Sequence, residues 1–139
     1  ERSEILRQIV EKTSCLITLD DMTQQRQLNR RFHSYIAELS ENFLLIKIYQ
    51  MTSNLFPDWR LYEYMFRHPE LLEKDLRREY SEHEAICEAI VARQPDEAAR
   101  CAVIHIRNLR PELVNYLGIS EALLAEKENQ IAPLLSVGA

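Results

Sequence analysis

A chain of 139 residues, 46% hydrophobic and 28% charged, suits one folded domain with a useful core and is not the composition of a disordered segment. Its 17 basic and 22 acidic residues give a net charge of −5, which argues against gripping nucleic acid, and it has neither an apolar run of bilayer length nor an opening signal-peptide pattern. Two glycines, Gly118 and Gly138, are too few for a turn-rich β protein, and three cysteines without a tight framework fit reduced thiols in a cytoplasmic setting.

The pattern is helical throughout. From Ser3 to Thr18, Ile5, Leu6, Ile9, Val10 and Leu16 recur at helical spacing. Asp20 and Asp21 offer an N-cap for a second helix to about Leu39, whose inner face holds Leu28, Phe32, Tyr35, Ile36 and Leu39. A third helix follows Ser40-Glu41-Asn42. Its run Phe43, Leu44, Leu45, Ile46, Ile48, Tyr49 and Met51 is apolar nearly all round and reads as buried on most sides. Pro57 is expected to end or kink it.

A short aromatic segment runs from Trp59, read as a packing residue, to Phe66. Pro69 then suits the first turn of a long helix reaching about Arg93, with His68 at its start. Gln94-Pro95-Asp96 breaks the pattern and restarts it. The next helix passes His105 with an irregularity at Pro111. Gly118 closes it, Ser120 caps a last helix, and Pro133 is expected to end the order. The chain does not begin with Met and opens inside a helical pattern, so it reads as part of a longer protein.

The two helices flanking Gln94 carry the chemistry. Folded as an antiparallel hairpin, they place Ile90 opposite Ala98, Ile86 opposite Ala102, Cys87 opposite Cys101 and His83 opposite His105. Both histidines then sit about 16 Å from the turn, at 1.5 Å per residue. Such a pair near a core needs hydrogen-bond partners or a metal, for which imidazole is a common ligand. His33, beside Phe32 and Ile36, is the best candidate for a third ligand, and Asn29 lies one turn before it on the same face. The alternative is three ordinary core or surface histidines.

Two rival chemistries use the same hairpin. His83, Cys87, Cys101 and His105 have the spacing of a structural zinc site, although cysteines are more often buried as small apolar groups. A helical metal-dependent hydrolase would need a general base, for which Glu82 or Glu84 are the nearest carboxylates. The paired Glu-x-x-His repeats of a di-iron bundle do not occur.

The segment Asn29-Arg30-Arg31-Phe32-His33, with Ile36-Ala37 and Ser40-Glu41-Asn42-Phe43-Leu44, resembles the D-x-x-F-H…I-A…s-x-N-x-x-L block of the FCD domain. That is the effector domain of FadR-subfamily GntR-type transcription regulators. Glu82-His83 through Ala89-Ile90 resembles its E-H-x-x-I-x-x-A-I block. Gln94-Pro95-Asp96-Glu97-Ala98-Ala99 and His105-Ile106 resemble the turn and the closing H-I. The ordered blocks cover roughly residues 25 to 110.

The resemblance implies an all-α antiparallel bundle of about six to seven helices, forming one effector-binding and dimerisation domain over residues 1–139 and lacking one or two opening helices. It implies a sensor and not an enzyme. A DNA-reading winged helix-turn-helix domain would lie N-terminal to this segment, the only route to DNA, and the assembly would be a homodimer with no membrane role. It implies a divalent metal, zinc foremost with nickel or manganese as alternatives, held by Asn29, His33, His83 and His105. The usual residue at position 29 is Asp, so Asn29 leaves the ion's charge less compensated and raises the demand for an anionic effector. A small organic acid beside the metal would meet that demand. Arg30, Arg60, Arg67 and Arg78 are candidates to fork its carboxylate, with Tyr35, Tyr62 and Tyr80 as hydroxyl donors.

Overall fold

The computed structural model of the chain describes residues 2–56 and 58–135. Among them there is no strand. Eight helical segments follow in order: α1 (Arg2–Thr13), α2 (Met22–Leu39), α3 (Phe43–Leu55), α4 (Asp58–Arg67), α5 (Pro69–Val91), α6 (Pro95–Asn108), α7 (Arg110–Asn115) and α8 (Glu121–Leu135). The number exceeds the expected six to seven because the aromatic segment is itself a helix and the irregularity at Pro111 splits off the short α7.

The first helix stops at Thr13, five residues earlier than its periodicity suggests. The Thr13 hydroxyl donates to the Val10 carbonyl at 2.6 Å, and Ser14 and Leu16 close turns onto Glu11 and Thr13. These side-chain and turn bonds compete with helical ones. Leu16 is nonetheless buried, because the loop folds inward. Asp21 occupies the N-cap position of α2 without capping it. Its carboxylate turns back to accept from the Thr18 amide (3.2 Å) and hydroxyl (2.7 Å). Asn42 does cap α3, accepting from the Leu45 amide at 3.1 Å.

Tyr35, near the end of α2, donates its hydroxyl to the Arg2 carbonyl at the start of α1 (3.2 Å), so these helices run antiparallel. α1 packs along α5, α2 meets α5 through Phe32 stacked on His83, and α5 pairs with α6 as the expected hairpin. The core forms between them from Leu6, Ile9, Val10, Phe32, Tyr35, Ile86 and Cys87. Leu28, Ile36, Leu39, Ile90, Cys101 and Ala102 pack against that cluster, as the hairpin pairing and the inner face of α2 require. A smaller cluster of Met22, Met65, Leu72 and Leu76 ties α4 and the start of α5 to the head of α2.

The turn at Gln94 is a full Schellman motif. The Gln94 amide donates to the Ala89 carbonyl and the Arg93 amide to Ile90, with Arg93 at φ +56°. A non-glycine residue thus takes the left-handed position that usually selects glycine. Pro95 opens α6 at its first turn, with Asp96 and Glu97 behind it. Gly118, at φ +66°, closes the α7 end, and Ser120 accepts from the Leu123 amide to start α8.

Three expectations need correction. α3 is not buried: among the described residues its main contact is α2, and Phe43, Leu44 and Leu55 are 73%, 66% and 78% exposed. The all-round apolar pattern is left largely uncovered by the described residues. Trp59, read as a packing residue, is more than half exposed. Pro133 does not end the order, since α8 runs through it to Leu135; a proline near a helix end removes only one late hydrogen bond. Pro57 lies outside the described residues, and α3 stops before it, with extended backbone at Phe56.

Candidate metal and effector site

α2, α5 and α6 each deliver one histidine to the same point. The ring centroids of His33 and His83 are 4.9 Å apart, those of His83 and His105 4.7 Å, and those of His33 and His105 5.3 Å. One nitrogen from each ring can be chosen so that all lie within 4.8 Å of one another. Among the described residues this is the one such group of His, Cys, Asp or Glu side chains. His83 and His105 are buried, and Phe32 stacks on His83 with centroids 4.1 Å apart, closing the site on its core side.

Burial, reinforced by His105, pulls His33 down to about 4. Burial, then His33 and His105, holds His83 well below the ordinary imidazole value. Both rings are therefore neutral near pH 7 and keep a nitrogen lone pair for coordination. His83 Nε2 and Asn29 Oδ1 are buried with no hydrogen-bond partner. Buried polar atoms are rarely left so, and a cation held among the three histidines would satisfy the His83 nitrogen. The donor set therefore fits a divalent ion that accepts imidazole and amide-oxygen ligands.

His105 is aimed from behind. Its Nδ1 lies 2.7 Å from Glu82 Oε2, and Asn108 donates to the other Glu82 oxygen at 2.7 Å. A carboxylate on Nδ1 fixes the tautomer that turns Nε2 toward the cluster. Glu82 thus orients a ring, which is not the general-base role that its position in the sequence suggests. Asn108 stands one helical turn beyond His105, a spacing that could have flagged it.

The cysteines do not join the group. Cys87 lies in the apolar core, and Cys101 Sγ sits 3.5 Å from a Glu97 oxygen. Cys87 thus sits as a small apolar residue, and the Cys101 thiol turns to Glu97.

Arg78, an effector candidate one turn before Glu82, shares that carboxylate with His105. Its Nε is 3.7 Å from Glu82 Oε1, its Nη2 is 3.8 Å from Asp75 and in closer contact with Glu112 Oε1. Glu112, buried on α7, carries no sequence signal; no motif surrounds it. Burial works against the charge of Arg78, but the bond and charge of Glu112, with Asp75 and Glu82, outweigh it and raise its pKa. Deeper along α5, Glu79 accepts from Gln25 at 3.1 Å, and Tyr62 donates to the same Gln25 at 3.4 Å. Burial pushes the Glu79 carboxyl up to about 7.

The other candidates lie elsewhere. Tyr35 is a core residue whose hydroxyl is used on Arg2. Tyr80 donates to Glu84 at 2.9 Å, in a surface cleft that also includes Arg7 and Glu88. Arg60 lies over the Trp59 ring, 5.3 Å from its centroid, in a separate cleft of about 250 Å³ with Tyr64 and Tyr116, where Arg67 pairs with Glu63 at 2.6 Å. Arg30 sits on the exposed side of α2, with Tyr49 within its electrostatic reach. His68 stays at the start of α5, stacked on Tyr64 with its Nδ1 3.2 Å from Glu70.

The family model of the FCD domain matches residues 1–108, which hold all three histidines and Asn29. The chain belongs to the FCD domain family. No curated protein and no solved structure matches it. An FCD domain is the ligand-binding domain of a GntR-type transcription regulator, and its family places this chain among such regulators. No helix of this FCD domain, among the described residues, is long and apolar enough to cross a membrane. The matched region stops at the end of α6, so Glu112 and α8 lie beyond it.

Proposed function

We propose that this FCD domain senses a small organic acid beside a divalent metal ion, and passes that signal to a DNA-reading winged helix-turn-helix domain on its N-terminal side. The observation that carries the reading is the convergence of three imidazoles on one point, with an unpartnered buried nitrogen on His83 among them. His33, His83, His105 and Asn29 would hold the ion, which when bound supplies a positive charge to a carboxylate. Zinc suits three imidazoles best, with nickel and manganese as alternatives. All four protein donors are neutral, so the charge of the ion is left for an anion to balance. Arg78, linked to His105 through the single carboxylate of Glu82, is the arginine best placed to share that anion.

The reading includes a homodimer. Leu44, Ile48, Met51 and Leu55 are all exposed and follow one another at intervals of four, three and four residues. That is the spacing of a coiled-coil seam, and it reads the same in both directions. An antiparallel second copy would therefore set Leu44 against Leu55 and Ile48 against Met51 about a two-fold axis. Lys47, the one charge on α3, would stand opposite Thr52 in this pairing and not opposite its own copy.

Native mass spectrometry of the purified domain, with elemental analysis, tests the reading. The expected species carries one divalent ion per chain and a retained acid, in a two-chain assembly. Loss of the ion on His83→Ala supports the site; a metal-free wild-type domain that also takes up no zinc overturns it.

A further inference from the structure

Glu112 and Arg78 form an ion pair that is well placed and poorly satisfied. The Glu112 side chain is 4% exposed, yet its Oε2 has no hydrogen-bond partner. Arg78 meets Glu112 through Nη2 alone, while its Nε is buried without a hydrogen bond, since Glu82 at 3.7 Å is too far for one. A guanidinium is built to grip a carboxylate with two parallel bonds. Here each partner uses one of its two arms. Asp75 and Glu82 also crowd the same cation, so more negative charge surrounds Arg78 than it can pair with.

We propose that Glu112 is a resident competitor for the effector: an incoming carboxylate displaces it from Arg78 and so releases α7. This rests on the acid-sensing reading above. An acid free to choose its approach can engage Nε and Nη2 together, which the tethered Glu112 does not. Arg78 is 36% exposed, so the acid approaches the guanidinium from solvent, and reaching the buried Nε requires Glu112 to give way. From Arg78 a single carboxylate, that of Glu82, leads to His105. The class of ligand that fits is an acid with two anionic or chelating groups, one for the cluster and one for Arg78.

Displacement has a mechanical consequence. α7 is six residues long, and its Arg110 holds α8 through Glu121 (2.8 Å) and Glu128 (2.7 Å). Besides the Glu112 pair, α7 is tied to the bundle by its continuation from α6 and by Tyr116, which stacks on Tyr64 of α4 at 3.6 Å. Moving Glu112 out of the bundle thus loosens α7 and α8 as one piece. Acid binding at α5 would be read out at the C-terminal helix.

The test uses the zinc-loaded domain and a panel of acetate, lactate, succinate and citrate. Calorimetry compares wild type with Glu112→Gln, and hydrogen exchange follows the amides of Leu113, Tyr116 and Ile119, which α7 and its closing turn protect. The expected result is that the best-binding acid gains about tenfold in affinity in Glu112→Gln, because the internal competitor is gone. In wild type the same acid should speed exchange at those amides. The exchange measurement decides the matter even if the variant does not fold. Equal affinities with unchanged α7 exchange overturn the competitor role while leaving acid sensing intact. If no acid of the panel binds either protein, the sensing reading and this inference both fall.

Discussion

His105 Nδ1 and Glu82 Oε2 are 2.7 Å apart, and the carboxylate that makes this contact is itself fixed by Asn108. The pair sets which nitrogen of His105 faces His33 and His83. Glu82→Ala should therefore weaken zinc binding about 10- to 100-fold, the usual cost of removing an outer partner of a metal-ligating histidine. Glu82→Gln should lose less, since its amide oxygen still accepts from Nδ1. Competition against a chromophoric chelator gives both numbers. Equal affinities for wild type and Glu82→Ala would mean that the ring needs no such orientation.

Asn29→Asp tests the charge argument at the site. A carboxylate here adds the negative charge that the protein donors lack. Zinc affinity should rise, and its dependence on added acid should shrink, because the ion no longer needs an anion to balance it. Zinc titrations with and without succinate measure both effects. If wild type binds zinc stoichiometrically whether or not acid is present, and Asn29→Asp changes nothing, the amide at position 29 has no bearing on the effector.

How far the sequence reveals this site depends on where its information is local. The hairpin of α5 and α6 is set by one turn and by a large-against-small alternation of side chains, so counting outward from Gln94 already brings His83 to His105. His33 comes from a different helix and follows from the FCD-like block around Phe32-His33. Glu112 is invisible in the sequence because its role depends on how α7 folds back after Pro111, a long-range geometry with no periodic signal. The exposure of α3 escapes a sequence reading for the opposite reason. An all-round apolar pattern shows that a helix needs cover, but it cannot say whether the cover lies in the same chain.

Arg93 offers a stability test that leaves the site alone. Its φ of +56° completes the Schellman turn, and a side chain in that region costs about 1–2 kcal/mol. Glycine avoids that cost but loses about 0.5–1 kcal/mol through the greater freedom of the unfolded chain. Arg93→Gly should therefore stabilise the domain by about 0.5–1 kcal/mol, seen as a higher urea midpoint with an unchanged slope. A lower midpoint would show that the Arg93 side chain holds the turn by a contact that outweighs its strain.

The seam on α3 gives a direct test of self-association. Ile48→Glu would set a carboxylate at the centre of the antiparallel pairing, against Met51 of the other copy, where water is excluded. Burying an unpaired charge is costly enough to separate a modest helical interface. Light scattering after size exclusion should show the dimer becoming a monomer, while circular dichroism stays unchanged because Ile48 makes no core contact within the chain. A dimer that survives the substitution would place the contact on another face.

Glu79 makes stability depend on pH in a predictable direction. Its carboxyl, at about 7 in the folded domain against 4.5 in an open chain, binds its proton more tightly when folded. Below the open-chain value both states are protonated and there is no penalty. Between there and pH 7 the unfolded chain ionises first, so stability falls as pH rises, and above pH 7 the loss is complete. The full shift corresponds to about 3 kcal/mol, and partial contact of Glu79 with solvent reduces the expected loss to about 1–2 kcal/mol. The buried imidazoles of His33 and His83 act in the opposite sense: they resist protonation, so they cost stability as pH falls below their ordinary value. The difference between wild type and Glu79→Gln isolates the carboxyl, because the histidines are common to both. The substituted side chain keeps an oxygen for the Gln25 amide and carries no charge, so the variant should match wild type near pH 4.5 and exceed it by about 1–2 kcal/mol at pH 8. Urea unfolding of the metal-free domain at those two pH values measures the gap, and a gap that is the same at both would rule out a titrating Glu79.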